Sequence, residues 1–149
     1  MDIKTKSLGI VNIDKKPKFQ IPSGLFGFEE EKKYVLLESD YSPFFWLQSI
    51  ENDKLAFLVV DPFTFFSDYE IDLDDGTVED LGIKKPSDVM ILTIITIPKE
   101  GKPITANLQG PLVINKRNNI AKQVILDNPQ WTTKHSLHEA MQSKRGDKC

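Results

Sequence analysis

Short apolar runs recur about every ten residues along this chain, separated by proline, glycine and Asx turns, with one brief helical pattern among them. This spacing predicts a mainly β fold, a compact antiparallel β-barrel-like or sandwich domain with one short internal helix and a short C-terminal amphipathic helix. The 149 residues, 40% of them hydrophobic and 28% charged, fit a single globular core. The β body is expected over 1–128 and a helical segment with a tail over 129–149.

Each element has its own signal. Residues 18–21 alternate and stop at Pro22, and Pro22-Ser23-Gly24 has the composition of a type I turn. Residues 34–37 read as the next strand, and 44–50 follow Pro43. Residues 55–60, LAFLVV, are apolar on both faces, the mark of a central strand, with Asn52-Asp53 as the hairpin turn before them. Residues 69–73 alternate strictly and predict a strand, followed by a turn at Asp75-Gly76. Residues 77–81 predict a short helix, capped by Thr77 and ended by Gly82. Residues 88–97, DVMILTIITI, carry the strongest strand signal. A loop at Pro98, Gly101 and Pro103 leads to short strands at 105–108 and 112–115, split by Gly110-Pro111. Asn118-Asn119 is a turn, and 121–126 the last strand. Beyond Pro129, Ser136 and Glu139 form a capping-box pattern. Leu137, Ala140 and Met141 make a narrow apolar stripe, with Lys144, Arg145 and Gly146 at the expected helix end.

Composition narrows function. The net charge of −3 argues against direct nucleic-acid binding, which needs a concentrated basic face. The one cysteine, Cys149, allows no disulfide within the chain. The first residues lack the apolar core of a signal peptide, and the apolar run at 55–60 is too short to span a membrane, so a cytoplasmic protein is expected. His135 and His138 could share a helix face, but a zinc site would need further ligands and only the distant Cys149 or a nearby carboxylate is on offer, so a solvated helix face and no metal site is expected. Phosphate-binding and nucleophile motifs are missing, and the carboxylates have no His, Lys or Ser partner in their segments. No catalytic residue and no cofactor is expected.

The sharpest signal is the alternation DYEIDLD. On an extended segment Asp68, Glu70, Asp72 and Asp74 fall on one side, and Tyr69, Ile71 and Leu73 on the other. Such a carboxylate comb suits docking of a basic partner and equally suits protection of a sheet edge, and the two readings are compatible. Phe63, Phe65 and Phe66 precede it. In an extended segment Phe63 and Phe65 would share a direction and Phe66 would oppose them. The loop carrying Leu25, Phe26 and Phe28 either plugs a barrel end or is displayed.

Four segments together resemble one family. IPSGLFGFE (21–29), PFFWLQS (43–49), DPFTFFSDYEIDL (61–73) and TANLQGPLVIN (105–115) stand in the order and spacing of the bacterial flagellar assembly factor FliW family, a likeness that covers residues 6–126. The chain departs from the family pattern at Phe26, where proline is common, and at Gly110, where alanine is commoner.

The resemblance implies a β-barrel-like cytoplasmic protein without catalytic activity. It implies two competing protein partners: flagellin, and the small RNA-binding translational repressor CsrA. Capture of CsrA would relieve repression of flagellin translation. CsrA must carry basic surface to bind RNA, so the comb at Asp68, Glu70, Asp72 and Asp74 is its expected complement. Phe66, Tyr69 and the loop residues Leu25, Phe26 and Phe28 are the expected apolar anchors. The alternative is a small-ligand β-barrel, which requires a cavity lined by Phe44, Trp46 and Phe57. An enzyme working through paired carboxylates would require a cleft holding two of them in unlike environments.

Overall fold

The computed structural model describes residues 1–98 and 104–137. Its strands are β1 (Asp2–Lys4), β2 (Ile10–Asn12), β3 (Lys18–Gln20), β4 (Lys33–Glu38), β5 (Phe45–Ser49), β6 (Ala56–Val60), β7 (Val89–Thr96), β8 (Thr105–Ala106), β9 (Leu112–Asn115), β10 (Ile120–Gln123) and β11 (His135–Ser136). Among the described residues, the α-helix α1 (Asp75–Leu81) lies between β6 and β7. Seven strands close a ring in the order β7-β6-β5-β4-β3-β10-β9 and back to β7. The architecture is therefore a barrel rather than a sandwich. Every neighbouring pair is antiparallel except β3 and β10, which meet in parallel at Ile120 and Gln20. Among the described residues no helix is long and apolar enough to cross a membrane.

Closure follows from β7. Its first half, Val89–Leu92, pairs with β9, and Thr93–Ile95 pair with β6. Each strand of the ring sends an alternate side chain inward: Phe19, Tyr34, Leu47, Val59, Leu92, Ile114 and Ala121 pack together in the lumen. The side chains between them are also apolar, so the outer surface needs cover. On β6, β7 and β9 the outward Leu58, Val60, Ile91, Ile95 and Val113 lie beneath residues from the segments before and after α1 and from the chain after β10. On β4 the outward Val35 and Leu37 lie beneath Ile3 and Ile13 of the β1–β2 region. The double-sided apolar character of β6 and β7 is thus satisfied by a filled lumen inside and a second core outside.

Several expectations need correction. Residues 69–73 alternate between buried and exposed as expected, yet they form no strand and join no ladder among the described residues. Helix α1 begins at Asp75, and its cap is Asp74, whose side chain accepts from the Thr77 amide at 2.7 Å; Thr77 itself lies inside the helix. Gly82 ends the helix as expected, with φ 68°, a left-handed conformation that costs glycine little. The β1–β2 hairpin was not signalled. Ser136 ends β11, where it pairs with Thr105 of β8, and it stands directly before Leu137, which is helical, the position expected of the cap. The rest of that helical expectation, with His138, Glu139, Ala140, Met141, Lys144, Arg145, Gly146 and Cys149, lies outside the described residues, as do Gly101 and Pro103.

Among the described residues of the lumen, Tyr34 is the costly one. Tyr34 is fully buried and its hydroxyl has no hydrogen-bond partner. Burial, and secondarily the Glu31 and Glu51 carboxylates, push its phenol up to about 12. The unfolded chain would release that proton nearer its ordinary value of about 10, so stability held below that pH is lost as pH rises toward 12. Tyr34→Phe should leave the protein as stable as before, or more so by up to ~1 kcal/mol, at neutral pH. It should also flatten the alkaline fall in a urea-unfolding series between pH 9 and 12, a range chosen to bracket the shift from the ordinary ~10. A loss of stability at neutral pH would show that the hydroxyl is satisfied.

Candidate functional site

The site is built from the segment between β6 and α1. Asp61 accepts the Phe63 amide at 2.9 Å and starts a one-turn 3-10 helix, Pro62–Thr64, with proline at its first position. Successive residues of such a turn point about 120° apart, not 180°. The three phenylalanines therefore separate. Phe63 is 44% exposed, Phe65 stacks on Phe44 with centroids 5.9 Å apart, and Phe66 is buried against the edges of Trp131 and His135. The extended-segment reading, which grouped Phe63 with Phe65, fails here because the backbone turns.

Tyr69 then fixes the ribbon. It is 2% exposed, its ring meets Trp131 edge-on at 4.9 Å, and its hydroxyl donates to the Leu108 carbonyl at 2.6 Å. Burial also pushes its phenol well above the ordinary tyrosine range. Ile71 and Leu73 follow on the same side, half-buried against the outer core. The far end is fixed by Asp74. Its carboxyl is held below the usual carboxylate range, chiefly by the Thr77 amide.

Asp68, Glu70, Asp72 and Asp74 all face solvent. Asp68 accepts a hydrogen bond from Gln130 at 3.3 Å. Glu70, Asp72 and Asp74 border a cleft of about 340 Å3 whose other wall is the run from Val124 to Asn128. That wall carries Ile125, 65% exposed. Among the described residues no three His, Cys, Asp or Glu side chains gather in a way that could hold a metal ion. The arrangement presents negative charge along one side of a braced ribbon, with an apolar side chain across the cleft.

The expected anchors divide. Phe66 (8% exposed), Tyr69 (2%) and Leu25 (1%) belong to the core and are not surface contacts. Phe26 and Phe28 remain exposed, at 53% and 43%. The loop from Leu25 to Phe28 is thus plug and display at once: Leu25 packs in the lumen cluster while Phe26 stands outside. The Phe26 amide donates to Gln123 Oε1 at 2.9 Å, and Gln123 Nε2 donates to the Gly110 carbonyl at 2.9 Å. Gly24 makes the tight entry to this loop: its φ is 68°, and a Cβ there would lie 2.4 Å from the Glu29 Cα. The alternative reading's cavity forms only in part: Phe44 and Trp46 line an apolar pocket of about 520 Å3 on the outside of the barrel, with Leu58, Ile95 and Ile104, and Phe57 is not in it. Phe57 packs with the lumen cluster, whereas Phe44 and Trp46 pack with the outer core.

Sequence reasoning missed Phe63 as the displayed ring, Trp131 as the centre of the cover and Gln123 as the loop's tether. The Asp-Pro pair at Asp61-Pro62 was the available signal for the first, since it marks a capped turn. Tyr69→Phe should cost roughly 1–2 kcal/mol in chemical denaturation, because it orphans a buried carbonyl. Glu70→Lys should leave the unfolding curve unchanged. An equal loss from both would mean that the comb is structural.

The family model described as FliW protein matches residues 2–137. A Treponema denticola protein named flagellar assembly factor FliW is 47% identical over 137 residues, 92% of this chain and 93% of that protein. The protein of that name from Bacillus subtilis is 45% identical over 138 residues, 92% of this chain and 96% of its own length. A crystal structure of the flagellar assembly factor FliW superposes with a TM-score of 0.85 at 43% identity, covering 92% of this chain and 96% of the other. With its sequence matched nearly end to end and its barrel superposed on a solved relative, this chain belongs to the FliW protein family.

Proposed function

We infer that this flagellar assembly factor works in the cytoplasm as a non-enzymatic adaptor that binds flagellin and CsrA in alternation. Flagellin that accumulates occupies the adaptor and leaves CsrA free to repress flagellin translation. Export of flagellin releases the adaptor, which captures CsrA and relieves the repression. The observation that carries the reading is the ribbon from Asp68 to Asp74, exposed on its acidic side and braced at Tyr69 and Asp74. A repressor that binds RNA must present basic surface, and a fixed row of carboxylates complements it without rearrangement. Such charges mainly speed encounter and set register, and affinity needs apolar contacts as well. Ile125, across the cleft, and Phe26 and Phe28 are among the exposed apolar groups available for that role.

Gel filtration of the protein with CsrA, with flagellin, and with both should show either binary complex and no ternary one. Glu70→Lys should weaken CsrA binding by about tenfold at low salt and by less at high salt, because added ions screen the lost attraction. Unchanged affinity at both salt concentrations would remove the comb from the CsrA site. Failure of the unaltered protein to bind either partner would sink the adaptor reading.

A further inference from the structure

The ribbon separates two surfaces of opposite chemistry. On its inner side lies an apolar groove of about 570 Å3. The groove is lined by Val89 and Ile91 of β7, by Ile71 and Phe63 of the segment before α1, and by Val78 and Ile83 at the end of α1. That end is fixed by the Ile83 amide, which donates to the Val78 carbonyl at 3.0 Å. Lys84 and Lys85 stand on the rim, both exposed, and neither pairs with a carboxylate among the described residues. On the ribbon's other side the pattern is inverted. Ile125 projects from the far wall of the acidic cleft, 65% exposed. Its run is held in place because the Val124 amide donates to the Pro111 carbonyl at 3.0 Å and the Leu126 amide to the Gln109 carbonyl at 2.8 Å. Glu70, Asp72, Asp74 and Asp127 line the same cleft, so the isoleucine stands among carboxylates.

We propose that the groove's occupant is a second copy of this chain, which inserts Ile125 between the aliphatic walls and sets its carboxylates against Lys84 and Lys85. Among the lining residues only those two lysines are polar, so the groove does not suit a small polar ligand, which needs placed donors and acceptors. It suits an apolar side chain carried on a fixed backbone and bordered by negative charge. The molecule displays that combination at Ile125, and each part of it complements one part of the groove. A basic surface would meet the lysines as like charges and is disfavoured. The ribbon stands between the two faces, so the knob of one copy fills the groove of another. The contact is therefore heterologous, and it builds a ring or an open chain. One apolar anchor and a few exposed ion pairs make it weak, salt-sensitive and dependent on concentration. Where it forms it covers Glu70 and Asp72, which takes the row of carboxylates out of reach of any basic partner.

Sedimentation velocity of the full chain tests the contact at concentrations from roughly 10 μM to 1 mM. The unaltered chain should sediment faster as concentration rises, and less so as salt is added. Lys84→Glu/Lys85→Glu sets acids beside both faces, and Glu70→Lys/Asp72→Lys sets bases beside both. Each should stay at monomer mass alone, and an equimolar mixture of the two should associate, because opposite charges then meet at every contact. Ile125→Ser removes the knob without a change of charge and should weaken association about tenfold. Lys15→Glu/Lys16→Glu makes the same change in net charge as the groove-rim variant, at exposed lysines between β2 and β3, and should associate as the unaltered chain does. All the altered side chains are exposed, and far-ultraviolet circular dichroism checks the fold of each form. Monomer mass for the unaltered chain throughout the range would leave the groove to another partner and overturn the assignment. Undiminished association of either rim variant alone, or failure of the charge-reversed pair to associate, would overturn it too. So would an Ile125→Ser chain that associates as before, or an equal loss from the control at Lys15 and Lys16.

Discussion

Strand β7 has to be buried on both faces, and most of the molecule is arranged around that requirement. Its inward Leu92 needs a lumen, which ring closure supplies by pairing β7 with β6 and β9 at once. Its outward Ile91 and Ile95 need a cover that the barrel cannot provide. Burying an isoleucine fully is worth roughly 1.5–3 kcal/mol, so leaving that face wet would cost several such units in a protein of ordinary marginal stability. The chain meets the need with the excursion between β6 and β7 and with the run after β10. The surface that carries the row of carboxylates is therefore the outside of a structural cover, and its position is fixed by the β7 residues beneath it.

That cover explains how a ribbon outside any ladder keeps a strand's alternation. Between Glu70 and Leu73 the backbone makes no hydrogen bond to another described residue. Solvent must satisfy those amides and carbonyls, as it does along an exposed edge. The alternation is imposed from one side only: Tyr69, Ile71 and Leu73 find apolar contacts below, and the acids between them are turned outward. The two ends are held differently. Tyr69 is locked by its bond to Leu108 and its contact with Trp131, and Asp74 by its cap on α1. An extended segment held at both ends presents its carboxylates at a fixed spacing, so little order has to be created when a partner binds.

The strands of the ring were legible because each is an apolar run bounded by a turn residue, a local property. Closure was not, because it depends on β7 and β9 meeting across the chain, and nothing in DVMILTIITI or PLVIN names the other. The β1–β2 hairpin escaped because DIK and IVN are three residues each, too short for alternation to register. The comb was legible in full: every acid predicted to face outward does so. The aromatic anchors were not, for two separate reasons. A 3-10 turn rotates its side chains by a different angle from an extended segment, which exchanges the fates of Phe63 and Phe66. Tyr69 lies on the side that alternation already marked as buried, so its phenol was always destined for the core.

The two sides of the ribbon differ for one structural reason. Glu70, Asp72 and Asp74 border the acidic cleft, Ile71 lines an apolar groove with Val78 and Ile83, and Leu73 borders both. The ribbon is the wall between them. Because only its inner side finds apolar contacts and both of its ends are held, that wall keeps charge on one side and aliphatic carbon on the other.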